Sequence, residues 1–252
     1  MKYALVTGGS KGIGFGIAKA LARRNYQLIL VARNAEALES AKQAIEDEYR
    51  VTVKIIKADL LDKNSCTTIA NWCNENKIEL TILCNVAGIG GAKDFLSVPL
   101  NDSLEMLQLN TVPAISLTHS LLPLLQKNSP SFILNTSSMA GFAPIAAKNI
   151  YSASKSAILF FSYSLRRQLK NEDISVSCLC PGPVFTKPSI EADTIQKLGW
   201  LGKQMAVTAD YAGEIAIKKT LQRKLVIVPG VIAYVLSRLI TMMPAGLINS
   251  VS

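Results

Sequence analysis

The chain has 252 residues, of which 49% are hydrophobic and 18% are charged, and this composition excludes an intrinsically disordered protein while fitting a single α/β domain. The net charge is +9, but the basic residues are scattered in runs of no more than two, which disfavours nucleic-acid binding and favours a basic surface that attracts anions. With 1 His and 5 Cys, and no Cys-x-x-Cys, we expect no metal site and a reducing, cytoplasmic compartment. The first residues, MKYALVTGG, lack the pattern of a signal peptide.

Short apolar segments alternate along the chain with segments of helical periodicity. The apolar segments are rich in Val, Ile and Leu and predict strands at 3–7, 27–32, 51–58, 79–87, 131–137, 174–180 and 224–230. The periodic segments predict helices at 13–24, 35–49, 63–76, 101–126, 150–170 and 209–221. This alternation predicts an α/β fold in one domain, with a doubly wound parallel sheet of about seven strands and helices on both faces.

Residues 186–206 interrupt the alternation after the sixth predicted strand. They follow a Pro-Gly-Pro turn and carry the apolar residues Leu198, Trp200 and Leu201. An insertion at this point would lie at the carboxyl edge of the sheet, where ligands bind in such folds. We therefore predict that it forms a lid over a substrate.

Residues 231–252 are predicted to extend the domain formed by residues 1–230. The apolar residues that recur there at helical spacing are Val231, Ile232, Val235, Leu236, Leu239 and Ile240. This amphipathic segment is too short and too one-sided to span a bilayer. We expect it to pack on the core or on a neighbouring subunit, the alternatives being a pocket lid and a peripheral membrane contact through 231–248.

A glycine-rich stretch, VTGGSKGIGFGIAKAL, follows the first predicted strand and opens the first helix. Gly8, Gly12 and Gly14 lack a Cβ atom, so the backbone can approach a pyrophosphate at the helix N-terminus, where amide groups and the helix dipole favour an anion. The pattern predicts a dinucleotide site, and the alternative is a glycine turn without a ligand.

The end of the second strand, LILVARN, indicates which dinucleotide binds. A ribose 2′-hydroxyl usually meets an acidic residue near this point, whereas a 2′-phosphate requires a cation. The chain offers Arg33, with Lys11 in the glycine-rich turn and no acidic residue before Glu36. We predict NADP(H) rather than NAD(H), with a solvated surface arginine as the alternative.

Six motifs then occur in order between residue 3 and about residue 230: TGGSKGIG, NVAG, Asn110 in LQLNTV, NTSSMAG, YSASK and PGPVFT. Together they resemble the short-chain dehydrogenase/reductase family. The resemblance implies a Rossmann-type sheet and a catalytic set of Asn110, Ser138, Tyr151 and Lys155, in which Asn110 holds a water that leads protons to Lys155. It also implies homodimers or homotetramers that share the faces of helices 101–126 and 150–170.

Further site residues follow from matching these motifs to the family pattern. Asp59 is similar to a residue that contacts adenine, Asn85 to one that steadies the central strand, and Thr186 to one that binds the nicotinamide carboxamide. The full set of expected cofactor contacts is Gly8, Ser10, Lys11, Gly12, Ile13, Gly14, Arg33, Asp59, Leu60, Asn85, Ala87, Gly88, Tyr151, Lys155, Pro181, Gly182, Val184 and Thr186. The expected substrate contacts are Ser138, Ile145, Tyr151 and Phe185.

Tyr151 and Lys155 stand four residues apart, which places them on one face of a helix. Reduction of a ketone requires a hydride, which nicotinamide carries, and a proton, which the protein must supply. A free phenol has a pKa near 10, and a cation about 4–6 Å away typically lowers such a pKa. We therefore expect Lys155 to make Tyr151 more acidic and Ser138 to donate a hydrogen bond to the reacting oxygen.

The predicted walls of the substrate site are apolar and include Ile89, Phe95, Ile145, Val184 and Phe185. They suggest a small apolar ketone, aldehyde or alcohol, and the basic surface suits a substrate linked to an acyl carrier or coenzyme A. By resemblance the leading expectation is a 3-oxoacyl thioester reductase, and the alternative is a hydroxysteroid or xenobiotic carbonyl reductase. A non-catalytic NADP-binding regulator is an alternative of another class, although a pure binder has no need of the complete Asn-Ser-Tyr-Lys set.

Overall fold

The computed structural model describes residues 1–91, 95–185 and 206–242 of the chain. Within these ranges, seven strands form one parallel sheet in the order β3-β2-β1-β4-β5-β6-β9. These strands are β1 Tyr3–Thr7, β2 Gln27–Ala32, β3 Val53–Lys57, β4 Leu80–Asn85, β5 Ser131–Thr136, β6 Ile174–Leu179 and β9 Val226–Ile227. The sequence-based expectation of a doubly wound parallel sheet is therefore confirmed.

Helices cover both faces of this sheet. They are α1 Gly12–Ala22, α2 Ala35–Glu48, α3 Ser65–Glu75, α4 Leu100–Lys127, α5 Asn149–Gln168, α6 Ala209–Leu221 and α7 Val231–Met242. The side chains of each strand alternate between two buried layers: in β1, Ala4 and Val6 pack with α1, α2 and α6, whereas Leu5 packs with α3 and α4. Burial on both faces explains why the strands are almost continuously apolar in sequence.

Helices α1 and α6 cross so closely that their backbones touch. A Cβ atom on Gly213 would lie 2.2 Å from the carbonyl carbon of Gly16, and one on Gly16 would lie 2.2 Å from the carbonyl oxygen of Ala209. Glu214 of α6 also forms ion pairs with Arg23 and Arg24 at the end of α1. The crossing fixes the position of α1, whose N-terminus lies at the functional site.

A second, short sheet joins the two ends of the segment that interrupts the alternation of strands and helices. Strand β7, Val184–Phe185, pairs in parallel with β8, Val207–Thr208. The sequence did not predict this pair, because two-residue strands carry no periodicity. It brings together the two ends of the segment predicted as a lid, but residues 186–205 themselves lie outside the described residues.

The predicted last helix is present as α7, Val231–Met242. Ala233 and Ser237 of α7 are buried, whereas Val231, Val235 and Leu239 are exposed. The small side chains lie against the body of the protein because they allow close approach, so packing on the core accounts for only part of the predicted apolar stripe. No helix among residues 1–91, 95–185 and 206–242 is long and apolar enough to cross a membrane.

Candidate active site

A cavity of about 650 Å³ lies at the carboxyl ends of β1, β2, β4 and β5. The strand order reverses between β1 and β4, so the loops that follow these strands diverge and leave a crevice, where ligands bind in open α/β sheets. Residues that the sequence predicted as cofactor contacts supply much of its lining, namely Gly8, Ser10, Lys11, Gly12, Ile13, Gly14, Arg33, Leu60, Ala87, Gly88, Tyr151, Lys155 and Pro181.

The glycine-rich turn supplies one wall of the cavity. Gly8 and Gly12 have φ values of +66° and +56°, a region that glycine adopts without strain. A Cβ atom on Gly14 would lie 2.1 Å from the carbonyl oxygen of Gly8, so the turn can close only with glycine there. Lys11 precedes α1 without a side-chain capping bond, and the first turn of α1 has no acidic residue, so the amide groups of this turn are available to an anion.

Two basic side chains belong to the cavity wall near the glycine-rich turn and the end of β2. Lys11 and Arg33 both line the cavity, and none of its described lining residues is Asp or Glu. Arg33 is exposed and forms no ion pair within the part of the chain that the structure describes. Its neighbour Asn34 is occupied in capping α2, where its side chain accepts a hydrogen bond from the amide of Ala37 at 2.7 Å.

The loop after β4 is held from two sides. The Thr7 hydroxyl accepts hydrogen bonds from the amides of Val86 at 2.9 Å and Ala87 at 3.1 Å. Asn85 is buried and donates to Asn135 Oδ1 at 2.9 Å and Thr118 Oγ1 at 3.1 Å. Asn85 therefore steadies β4 from within, as its resemblance to the family residue implied.

Asn110 of α4 fixes the next part of this loop. Its side chain accepts from the Ile89 amide at 2.8 Å and donates to the Ile89 carbonyl at 3.0 Å and to Ser154 Oγ at 3.0 Å. Both of its amide hydrogens are thus used by protein groups. In this structure the side chain of Asn110 joins the loop after β4 to α5. This contact was not part of the water-holding role predicted for it.

Tyr151 and Lys155 both line the cavity, and Ser138 lies beside Tyr151. Lys155 Nζ lies 5.7 Å from the centre of the Tyr151 ring. Burial raises the pKa of Tyr151 above its ordinary value, and the Ser138 side chain opposes this shift. The expected lowering of this pKa by Lys155 is not among the effects at Tyr151 in this structure, where loss of hydration is the largest.

Lys155 is only 5% exposed, and its ammonium donates to the Thr136 carbonyl at 3.1 Å. Burial lowers the pKa of Lys155 from 10.5 to about 8, and Coulombic interactions with Cys178 and Cys180 oppose this shift. The Ser137 hydroxyl donates to the Lys155 carbonyl at 2.6 Å and so ties α5 to the end of β5. Lys155 is held rigidly at the cavity with an easily removed proton.

The size and lining of the cavity fit a dinucleotide, and this evidence does not depend on the sequence motifs. A volume of about 650 Å³ lies within the usual range for cofactor pockets, and a Cβ atom at Gly8 would come within 3.1 Å of Ala87 Cα across the turn. Thr136 also lines the cavity, and its buried hydroxyl has no hydrogen-bond partner among the described residues. A buried unpaired hydroxyl beside a cationic lysine indicates a site that receives a polar ligand.

Several predicted site residues do not line this cavity. Asp59 is exposed, and its carboxylate accepts from the Leu61 amide at 3.0 Å. The others among the described residues are Asn85, Asn110, Ser138, Ile145, Gly182, Val184 and Phe185, of which Ile145 is exposed and Val184 and Phe185 form β7. Thr186 lies outside the described residues, as do Leu198, Trp200 and Leu201.

Sequence reasoning missed three residues that hold the site together, namely Thr7, Thr136 and Ser137. Thr7 and Thr136 each end a strand beside the cavity, and a polar residue at the last position of an apolar strand is a signal that could have found them. Ser137 directly precedes Ser138 in the NTSSMAG motif. The structure gives each serine its own task, Ser138 at the tyrosine and Ser137 at the backbone of the lysine.

Comparison with known proteins agrees with this geometry. The family model described as short chain dehydrogenase matches residues 2–196. The chain belongs to the short-chain dehydrogenase family of oxidoreductases. Among curated relatives of this short-chain dehydrogenase, "Very-long-chain 3-oxoacyl-CoA reductase-B" of Danio rerio is 32% identical over 192 residues, which cover 75% of this chain and 61% of the relative. The chain thus spans less than two thirds of the length of this relative.

Solved structures show the same fold. A short-chain dehydrogenase from Sphingobium yanoikuyae in complex with NADPH is 25% identical, with a TM-score of 0.81 and coverage of 97% of both chains. A short-chain dehydrogenase/reductase from Burkholderia phymatum in complex with NAD is 21% identical, with a TM-score of 0.82 and coverage of 94% of this chain and 92% of the other. The members of this fold thus include binders of both nicotinamide cofactors.

Proposed function

We propose that this short-chain dehydrogenase uses NADP(H) to interconvert a ketone or aldehyde and an alcohol on an apolar substrate, most readily a 3-oxoacyl thioester. The observation that carries the proposal is that Tyr151 and Lys155 line the cavity together, with Ser138 beside the tyrosine. The substrate follows from the basic surface and from the names of relatives such as the Danio rerio 3-oxoacyl-CoA reductase.

The roles of the side chains follow from their contacts. A bound nicotinamide supplies or accepts the hydride. Because burial keeps the pKa of Tyr151 high, the phenol stays protonated at neutral pH and can give its proton to the carbonyl oxygen during reduction. Ser138, which lies beside that phenol, donates a second hydrogen bond to the same oxygen as negative charge develops there.

Lys155 supports the proton transfer from Tyr151. Its ammonium faces the Tyr151 ring, so it stabilises the phenolate that remains after the proton has left. Its own pKa of about 8 allows it to pass a proton onward near neutrality, which restores the phenol. Asn110 keeps the Ile89 loop in place beside these groups.

The preference for NADP(H) over NAD(H) rests on charge. Lys11 and Arg33 line the cavity, and no acidic side chain occurs among its described lining residues. A phosphate with about two negative charges gains from two cations, whereas a ribose 2′-hydroxyl lacks the acidic acceptor that it usually meets.

The proposal is tested by the rate of NADPH consumption with a panel of carbonyl compounds. The panel contains a long-chain 3-oxoacyl-CoA, the N-acetylcysteamine thioester of the same acyl chain, a steroid ketone and an aromatic aldehyde. We expect the 3-oxoacyl thioesters to have the highest kcat/KM. Preferred turnover of the steroid or the aldehyde contradicts the substrate assignment, and consumption of NADPH with none of the four contradicts the proposed reaction.

A further inference from the structure

A small recess of about 20 Å³ adjoins the active site at Tyr151. Tyr151 lines both this recess and the large cavity. The recess is formed by the start of α4, the start of α5 and residues that follow β4. A group bound in the recess therefore lies next to Tyr151 while the large cavity stays open to the cofactor.

Lys148 lines this recess, three residues before Tyr151. Its side chain is half-buried and forms no hydrogen bond or ion pair within the described ranges 1–91, 95–185 and 206–242. Ser103 and Asn149 add a hydroxyl and an amide to the lining. Asp102 also lines the recess, and it is engaged in an interaction of its own.

The start of α5 adds positive potential at the same place. Lys148 precedes α5 without a side-chain capping bond, and the first turn contains no acidic residue. The amide of Ile150 donates to Asn149 Oδ1 at 2.6 Å. The N-terminus of a helix of 20 residues carries a partial positive charge from its aligned peptide dipoles. An ammonium and a helix N-terminus therefore act together beside the catalytic tyrosine.

The positive charge at Lys148 favours anionic substrates over neutral ones. A neutral apolar substrate that covers Lys148 removes water from the ammonium without replacing its hydrogen bonds, which is costly. A substrate with an anionic oxygen group pairs with the ammonium and avoids that cost.

We infer that Lys148 is a specificity-determining residue, which binds an anionic oxygen group, phosphate or carboxylate, of the carbonyl substrate next to Tyr151. This inference rests on the proposed function of the site. It adds that the substrate carries a negative charge and that Lys148, at the start of α5, binds the charged group.

The test compares substrates that differ only in charge. One pair is a 3-oxoacyl-CoA and the N-acetylcysteamine thioester of the same chain, which lacks phosphate. The other is a 3-oxo acid and its methyl ester. For each pair, the ratio of kcat/KM for the charged to the neutral member is measured in wild type, Lys148→Met, Lys148→Arg and the control Lys127→Met, which removes a lysine at the far end of α4.

We expect Lys148→Met to lower this ratio roughly tenfold or more for the pair whose charged group is recognised, because a charge-assisted hydrogen bond is lost. A fall in the thioester pair identifies phosphate, and a fall in the acid and ester pair identifies carboxylate. Lys148→Arg should keep most of the ratio, and Lys127→Met should keep all of it. Unchanged ratios in both pairs overturn the inference, even if all rates fall together, since such a fall reports a structural role.

A binding measurement separates this inference from the proposed reaction. Each charged substrate is titrated calorimetrically into protein saturated with NADP⁺, which cannot reduce it. If wild type turns over no carbonyl but binds a charged substrate in a manner that depends on Lys148, the proposed reaction fails and the inference stands. Binding that is equally strong in wild type and Lys148→Met contradicts the inference, whether or not turnover is observed.

Discussion

Asn110 holds Ile89 by both polar groups of its backbone, accepting from the amide at 2.8 Å and donating to the carbonyl at 3.0 Å. This two-point contact joins α4 to the loop that lines the cavity. The neighbouring Gly88 is part of the arrangement, because a Cβ atom there would lie 2.7 Å from Asn110 Oδ1 and 3.4 Å from Lys155 Nζ. The absence of a side chain at position 88 lets the asparagine and the lysine approach the same stretch of backbone.

Gly88→Ala should therefore damage the site. The added methyl group must displace the Asn110 amide, which breaks the contact with Ile89 and shifts the loop, and we expect kcat/KM for carbonyl reduction to fall at least tenfold. Gly90→Ala is the matched control, because its Cβ would meet Tyr151 Cε2 at 3.6 Å, an ordinary contact. Steady-state kinetics of both variants make the comparison, and equal activities would show that the Asn110 contact is unimportant.

The burial of Lys155 predicts how stability depends on pH. Its pKa is about 8 in the folded protein and 10.5 in an exposed lysine, so between these values the unfolded chain binds more protons and stability rises with pH. Below pH 8 the buried ammonium costs on the order of 3 kcal/mol, and this cost disappears as the folded protein loses the proton.

Urea unfolding of wild type and Lys155→Met at a series of pH values measures this effect. Because the other groups titrate alike in both proteins, we expect the free energy of unfolding of wild type, relative to the variant, to rise by on the order of 3 kcal/mol from about pH 7 to about pH 10.5. The exposed Lys127→Met provides a control with no such trend. A difference between wild type and Lys155→Met that does not change with pH would refute a buried, shifted lysine.

Arg33 should control the choice of cofactor. Arg33→Asp replaces the cation beside the predicted 2′-phosphate with an acceptor for a ribose hydroxyl, and we expect the preference for NADPH over NADH to fall at least a hundredfold. Arg50→Asp makes the same change in charge at an exposed residue that does not line the cavity. The ratio of kcat/KM for the two cofactors is the measurement, and equal ratios in the two variants would leave Arg33 without a role in selection.

Much of this protein could be read from its sequence, because its signals are local. Strands such as Tyr3–Thr7 and Gln27–Ala32 agree with the predicted bounds to the residue, since they are apolar segments between a turn and a helix. The glycine-rich turn and the Tyr151–Lys155 pair are set by spacing along the chain, and they lie where the prediction placed them.

What the sequence could not show depends on partners that are distant along the chain. The contacts of Thr7 with Val86 and of Asn110 with Ile89 depend on how strands and helices assemble. The direction of the pKa shift at Tyr151 depends on burial, which spacing does not reveal. In α7, periodicity identified a stripe of apolar residues, but the small residues Ala233 and Ser237 determine which face lies against the protein.

The central claim is that the Tyr151 phenol delivers the proton to the carbonyl oxygen. Single-turnover reduction of a 3-oxoacyl thioester by Tyr151→Phe, with NADPH bound beforehand, tests it directly. The variant keeps the ring that Lys155 faces, so NADPH should still bind with an affinity near that of wild type. We expect the rate of reduction to fall at least a hundredfold, and a rate within a few-fold of wild type would contradict the claim.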